Sequence, residues 1–202
     1  MARSQIIKDL IRGDKSVSTS LQELLVIVNE LDNKELNIWI KNELNGYGKQ
    51  EDIPDYRKNL PNRIVYTGIN GNFKVSNQPL PIHAFGEHAK EISSSDFVKN
   101  SILELENSKD TIIQMDLTMF AGDVYRNTGI ACFSISMQFG KNISDMIISN
   151  VKTKIIESLL LLEKEFGLLD ELYIGKEKLN GEKINEVNEN INLIIFSDGA
   201  RY

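Results

Sequence analysis

The sequence predicts an α+β fold: an N-terminal three-helix unit, then a small mixed or antiparallel sheet packed by a long C-terminal helix. Three observations carry this. Apolar residues recur at helical spacing as far as Leu44. Asn70-Gly71, a strong hairpin signal, lies between two short runs rich in β-branched and aromatic residues. A wide apolar stripe then recurs every three or four residues over 145–166.

The elements follow in order. Ile6, Ile7, Leu10 and Ile11 share one face of a first helix that Gly13 ends. Residues 16–20 offer caps for a second, with Leu21, Leu24, Leu25, Ile27, Val28 and Leu31 on its stripe. Asp32 is the expected N-cap of the third, with Glu35 at the capping-box position. Leu36, Trp39, Ile40 and Leu44 form its buried face, and Gly46 stops it. Residues 64–67 and 73–75 read as hairpin strands, which Asn77-Gln78-Pro79 ends. Ser93, Ser94 and Ser95 are expected to cap a helix carrying Phe97, Ile102, Leu103 and Leu105. Residues 112–117 and 131–139 read as strands joined by a polar loop over 122–129. Ser144 caps the long helix, and Gly167 ends it. A charged helical stretch follows near 177–187. The β-prone run Ile191-Asn192-Leu193-Ile194-Ile195-Phe196 reads as a terminal strand. The expected organisation is a helical unit at 1–60, an α+β portion at 61–170 and a C-terminal tail at 171–202.

Composition bounds the chemistry. The chain has 202 residues, 41% of them hydrophobic, which suffices for a core and is not the balance of a disordered chain. A net charge of −6 argues against general affinity for nucleic acid. The lone Cys132 excludes an intramolecular disulfide and sits in an apolar run, as a small buried hydrophobe does. Residues 1–14 lack the pattern of a signal peptide. The longest purely aliphatic run, 159–162, is too short for a bilayer. A cytoplasmic protein with no transmembrane segment is expected.

Few residues suggest a site. His83 and His88 are flanked by Glu87 and Glu91, but the spacing matches no metal motif, and solvated histidines are the favoured reading. Gly68 and Gly71 are turn glycines rather than a phosphate loop. No nucleophile elbow occurs. The densest stretch is Trp39 to Arg57. There Arg57 offers a planar donor fork for a phosphate or carboxylate, with Glu43, Asp55, Tyr47 and Tyr56 as the other binding candidates. The structural alternative is favoured: Arg57 pairs with Glu43 or Asp55 and clasps the Pro54 loop, while Tyr47 and Tyr56 pack beside Trp39. No catalytic residue, metal or cofactor is assigned.

The string Trp39-Ile40-Lys41-Asn42-Glu43-Leu44-Asn45-Gly46-Tyr47, followed by Pro54-Asp55-Tyr56-Arg57, resembles the N-terminal hallmark of the AbiTii family. Asn33-Lys34-Glu35-Leu36 precedes it. Downstream, Asn77-Gln78-Pro79-Leu80-Pro81 and Leu159-Leu160-Leu161-Leu162-Glu163-Lys164-Glu165-Phe166-Gly167 also fit, in order. The likeness spans residues 6–167. It implies a bacterial abortive-infection protein that limits phage spread, and it leaves the role as toxin, sensor or scaffold open. The resulting expectation is an antiphage protein acting by self-assembly or by binding a phage or host protein. The alternatives are an enzymatic toxin with an unrecognised site, or a module sensing a ligand or nucleic acid. Whether the chain is an enzyme stays open, leaning to no. A homo-oligomer is expected, with Ile191, Leu193, Ile195 and Phe196 as candidate assembly residues on an exposed strand edge.

Overall fold

The computed structural model describes residues 3–50, 52–108, 111–175 and 180–196. Among them run α1 (Gln5–Arg12), α2 (Val17–Val28), α3 (Lys34–Asn45), β1 (Asn62–Asn70), β2 (Phe73–Pro79), α4 (Ala89–Ser93) and α5 (Ile102–Asn107). There follow β3 (Gln114–Asp116), α6 (Ala121–Thr128), β4 (Ala131–Phe139), α7 (Ile143–Phe166) and α8 (Gly181–Phe196). The α+β expectation holds, with N-terminal helices, then a four-stranded antiparallel sheet, then a long helix. The chain forms two compact units. One comprises Met1–Tyr56, Lys99–Asn107 and Asp145–Tyr202; the other comprises Arg57–Val98 and Ser108–Ser144.

The helical unit is built on stripes of aliphatic side chains. Ile6, Ile7 and Leu10 of α1, Leu21, Leu24 and Ile27 of α2, and Leu36 and Ile40 of α3 are all buried. So are Val151, Ile155, Leu159 and Leu162 of α7. The N-terminus of α1 is closed from afar. Glu163 accepts from the Ser4 backbone N–H and hydroxyl, both at 2.6 Å, and Asp170 accepts from the Gln5 N–H at 2.6 Å. These carboxylates meet the unpaired amide donors of the first turn. The cap of α3 corrects the expectation. Asn33, not Asp32, accepts from Leu36 N–H at 3.0 Å, while Asp32 takes a left-handed conformation at φ 49. Asparagine is an equally good cap, and the turn needs the residue before it to bend.

Residues 191–196 are not a terminal strand; they close α8. Val187, Ile191 and Ile195 are buried at four-residue spacing, the period of a helix face. Asn188 and Asn192 repeat that spacing and bond to the α2–α3 junction. Asn188 Nδ2 donates to Leu31 O at 3.0 Å, and Asn192 Nδ2 to Glu35 Oε2 at 2.6 Å. Both ends of α8 are pinned to α7: Lys183 Nζ donates to Glu165 O at 2.6 Å, and Lys154 Nζ to Ile194 O at 2.8 Å. A β-prone hexapeptide is thus held helical by tertiary contacts.

The second unit carries the sheet, in the order β2-β1-β4-β3. The hairpin turn is Gly71-Asn72, with Asn70 opposite Phe73. β2 runs on to Pro79, past the expected break, because Pro79 ends an edge strand, where a missing N–H costs least. A bulge separates Thr67 from Gly68, and Gly68 is needed there: a Cβ would stand 2.1 Å from Ala131 O. Two further expectations are corrected. Residues 122–129 are not a loop but the body of α6 and its Gly129 cap, at φ 75. The helix expected from 93 to 105 is only α5. Ser94 and Ser95 close α4 through hydroxyl bonds to Glu91 O instead of opening a helix. Val98 N–H then bonds Arg57 O, and Leu60 N–H bonds Asp96 O, in irregular chain.

Candidate functional site

The informative stretch folds into a buried polar cluster in the helical unit. Trp39 and Glu43 are one turn apart on α3, so both side chains point the same way. Trp39 is 3% exposed and Glu43 is 0% exposed. Gly46, at φ 83 and ψ 163, stops α3 in a region that suits glycine. Tyr47 N–H then donates to Lys99 O at 2.9 Å; a Cβ at Gly46 would lie 2.9 Å from that same oxygen. This turn swings Tyr47 back over the helix. Its hydroxyl donates to Glu43 Oε1 at 2.5 Å.

Pro54 leads into a 3₁₀ turn over Asp55–Arg57 that brings Tyr56 to the same carboxylate. The Tyr56 hydroxyl donates to Glu43 Oε1 at 2.5 Å and accepts from Trp39 Nε1–H at 3.0 Å. Lys154 of α7 stands 5.6 Å from the centre of the Tyr56 ring. The arrangement is an acceptor fed by two phenols, one of which is fed by the indole. Buried polar groups are tolerated when connected in this way.

The sequence-derived candidates are therefore placed as follows. Glu43, Tyr47 and Tyr56 meet in one cluster. Asp55 is exposed in its turn. Arg57, in the sheet-bearing unit, is fully buried and donates from Nη1 to Val98 O at 3.2 Å. Of the four assembly candidates, Ile191 and Ile195 are buried, whereas Leu193 and Phe196 are exposed.

His88 lies within 4.0 Å of carboxylate oxygens of Glu87, Glu91 and Asp123, and its ring is 5.1 Å from Phe120. His83 is exposed. Cys132 is half-buried, and burial pushes its thiol pKa up, away from nucleophile character. Among the described residues no group of three or more His, Cys, Asp or Glu is arranged to hold a metal ion. Also among them, no helix is long and apolar enough to cross a membrane.

Sequence reasoning missed the long-range polar ties. Asn188 and Asn192 could have been found, since amides repeated at i and i+4 mark a polar ridge on a helix. The Ser4–Glu163 pair, so distant in sequence, leaves no local signal.

With this geometry in place, comparison with known proteins decides the lineage. A family model described as AbiTii matches residues 3–188 of the 202. The chain belongs to the AbiTii family. No curated protein and no solved structure gave a match. AbiTii membership suggests an abortive-infection role against phage, and the matched span takes in the whole Glu43 cluster and α8 as far as Asn188.

Proposed function

We propose that this AbiTii protein limits phage growth in the cytoplasm by self-assembly or by binding a partner, not by a reaction of its own. One observation carries the reading. On α8, Leu193 is 65% exposed and Phe196 is 52% exposed, although Lys154 and Lys183 pin that helix in place. Large apolar side chains held out on an ordered helix serve contact with another surface. Cells carrying Leu193→Asp and Phe196→Asp together should lose phage protection in a plaque assay, while the purified variant keeps its helical circular dichroism. A folded variant that still protects would overturn this reading.

A second reading, sensing of an anionic ligand, has one specific observation behind it. Arg63 and Lys141 line a cavity of about 330 Å³ with Pro61, Ile112 and Phe139. Neither cation has a carboxylate partner among the described residues, and Gln138 Oε1 orients Arg63 by accepting from Nε at 3.2 Å and Nη2 at 3.1 Å. If protection survives the α8 substitutions but fails on Arg63→Ala, this reading takes precedence.

A further inference from the structure

Ile38 is 57% exposed on α3, at the crest between two hollows. One, of about 560 Å³, is lined by Glu35, Asp52 and Phe196 among others; its neighbour, of about 570 Å³, is lined by Lys34 and Lys41. Ile38 lines both. Helical geometry explains the split. At 3.6 residues per turn, Lys34 and Lys41 lie roughly 40–60° to one side of Ile38, and Glu35 lies roughly 60° to the other. The crest is therefore apolar, with a basic flank and an acidic flank. Asn192 Nδ2 holds the Glu35 carboxylate at 2.6 Å, whereas Lys34 and Lys41 have no carboxylate partner among the described residues.

A surface with opposite charges on its two sides is complementary to itself under one symmetry only. A two-fold axis perpendicular to α3 and lying in the contact plane sets basic flank against basic flank. An axis running along α3 exchanges the flanks, so each copy's lysines face the other's acids while the crests meet at the axis. We propose that a second copy of this chain docks here, with the two α3 helices side by side and parallel and Ile38 packed on the two-fold axis. The proposal rests on the self-assembly reading above and extends its surface from Phe196, which lines the same hollow as Ile38, onto α3. A foreign partner would need a matching pair of flanks, whereas a second copy supplies them by symmetry.

The test uses the full chain and two exposed charge variants, Lys34→Glu with Lys41→Glu, and Glu35→Lys with Asp52→Lys. Sedimentation equilibrium should show a dimer for the unaltered protein and, for each variant alone, association weaker by about tenfold or more, since like charges then face each other. Mixed in equal amounts, the two variants should recover the dimer as a mixed pair, because one carries only acids on both flanks and the other only bases. Recovery on mixing also shows that both variants are folded. Ile38→Asp should leave a monomer. A variant that dimerises alone as well as the unaltered chain, or a mixture that stays monomeric, overturns the proposal and leaves self-assembly through another face standing. A monomeric unaltered chain overturns the proposal as well, and the phage assay on Leu193 and Phe196 then decides whether partner binding survives.

Discussion

Replacing Tyr56 by Phe removes one oxygen and tests the buried cluster directly. That hydroxyl donates to Glu43 at 2.5 Å and accepts from Trp39 Nε1–H at 3.0 Å. Losing a hydrogen bond to a carboxylate costs about 1.5–3 kcal/mol, and leaving a buried donor unpaired costs about 1–3 kcal/mol. Trp39 is 3% exposed, so its indole N–H keeps little access to water. Tyr56 itself is half-buried, so water can recover part of the loss, and a net cost of ~3 kcal/mol is expected. Tyr47→Phe is the internal control. It removes one 2.5 Å bond to the same Glu43 oxygen and strands no indole, so ~2 kcal/mol is expected. Urea unfolding followed by tryptophan fluorescence is the assay, and Trp39, the only tryptophan, sits in the cluster and reports on it. If Tyr56→Phe proves no costlier than Tyr47→Phe, the indole bond has no energetic weight and the relay is geometric coincidence.

Two further outcomes are expected. Desolvation pushes the Glu163 carboxyl up, but the Ser4 hydroxyl, the Ser4 backbone N–H and the Arg3 guanidinium outweigh it, so its pKa lies below the ordinary glutamate value. The stability it confers is complete above the ordinary value and is lost as pH falls through the lowered one; Glu163→Gln should therefore flatten the acid limb of a stability–pH curve and leave its alkaline limb unchanged. Ile195→Ala should cost about 2–5 kcal/mol in urea unfolding because the side chain is buried in α8, whereas an exposed strand would lose under ~1 kcal/mol.

Where the sequence was legible, a local period dominated. α1, α2, α3 and α7 are long stripes with glycine or polar ends, and the β1–β2 hairpin has its turn chemistry in adjacent residues. Where it misled, distant partners decided. The Ile191–Phe196 run has strand propensity, but Ile191 and Ile195 are also four apart, and Asn188 and Asn192 fix the helical alternative through the α2–α3 junction. The serines at 94 and 95 suit either end of a helix, and here they bond backward to Glu91 O. In the candidate site, helical spacing marked Trp39 and Glu43, and the aromatics near Pro54 marked Tyr56. That one Glu43 oxygen serves both tyrosines depends on the Gly46 turn and the 3₁₀ turn, which no period encodes.

α3 joins these features. Its inner face, with Leu36, Ile40 and Glu43, is fixed by packing and by the Tyr47 and Tyr56 hydroxyls that donate to the buried Glu43 carboxylate. Its outer face, with Lys34, Ile38 and Lys41, is exposed and is answered by no carboxylate among the described residues. A docking helix has to be rigid, because ordering it on contact would consume the modest gain that one apolar crest and a few rim charges provide. The Glu43 cluster supplies that rigidity from inside, while Asn192 orients Glu35 on the acidic flank. Substitutions within the cluster should therefore weaken association without touching the contact surface, and charge reversal at Lys34 and Lys41 should weaken it without lowering stability. If Tyr56→Phe lowered stability and left association unchanged at a temperature where the protein stays folded, the two faces of α3 would be independent.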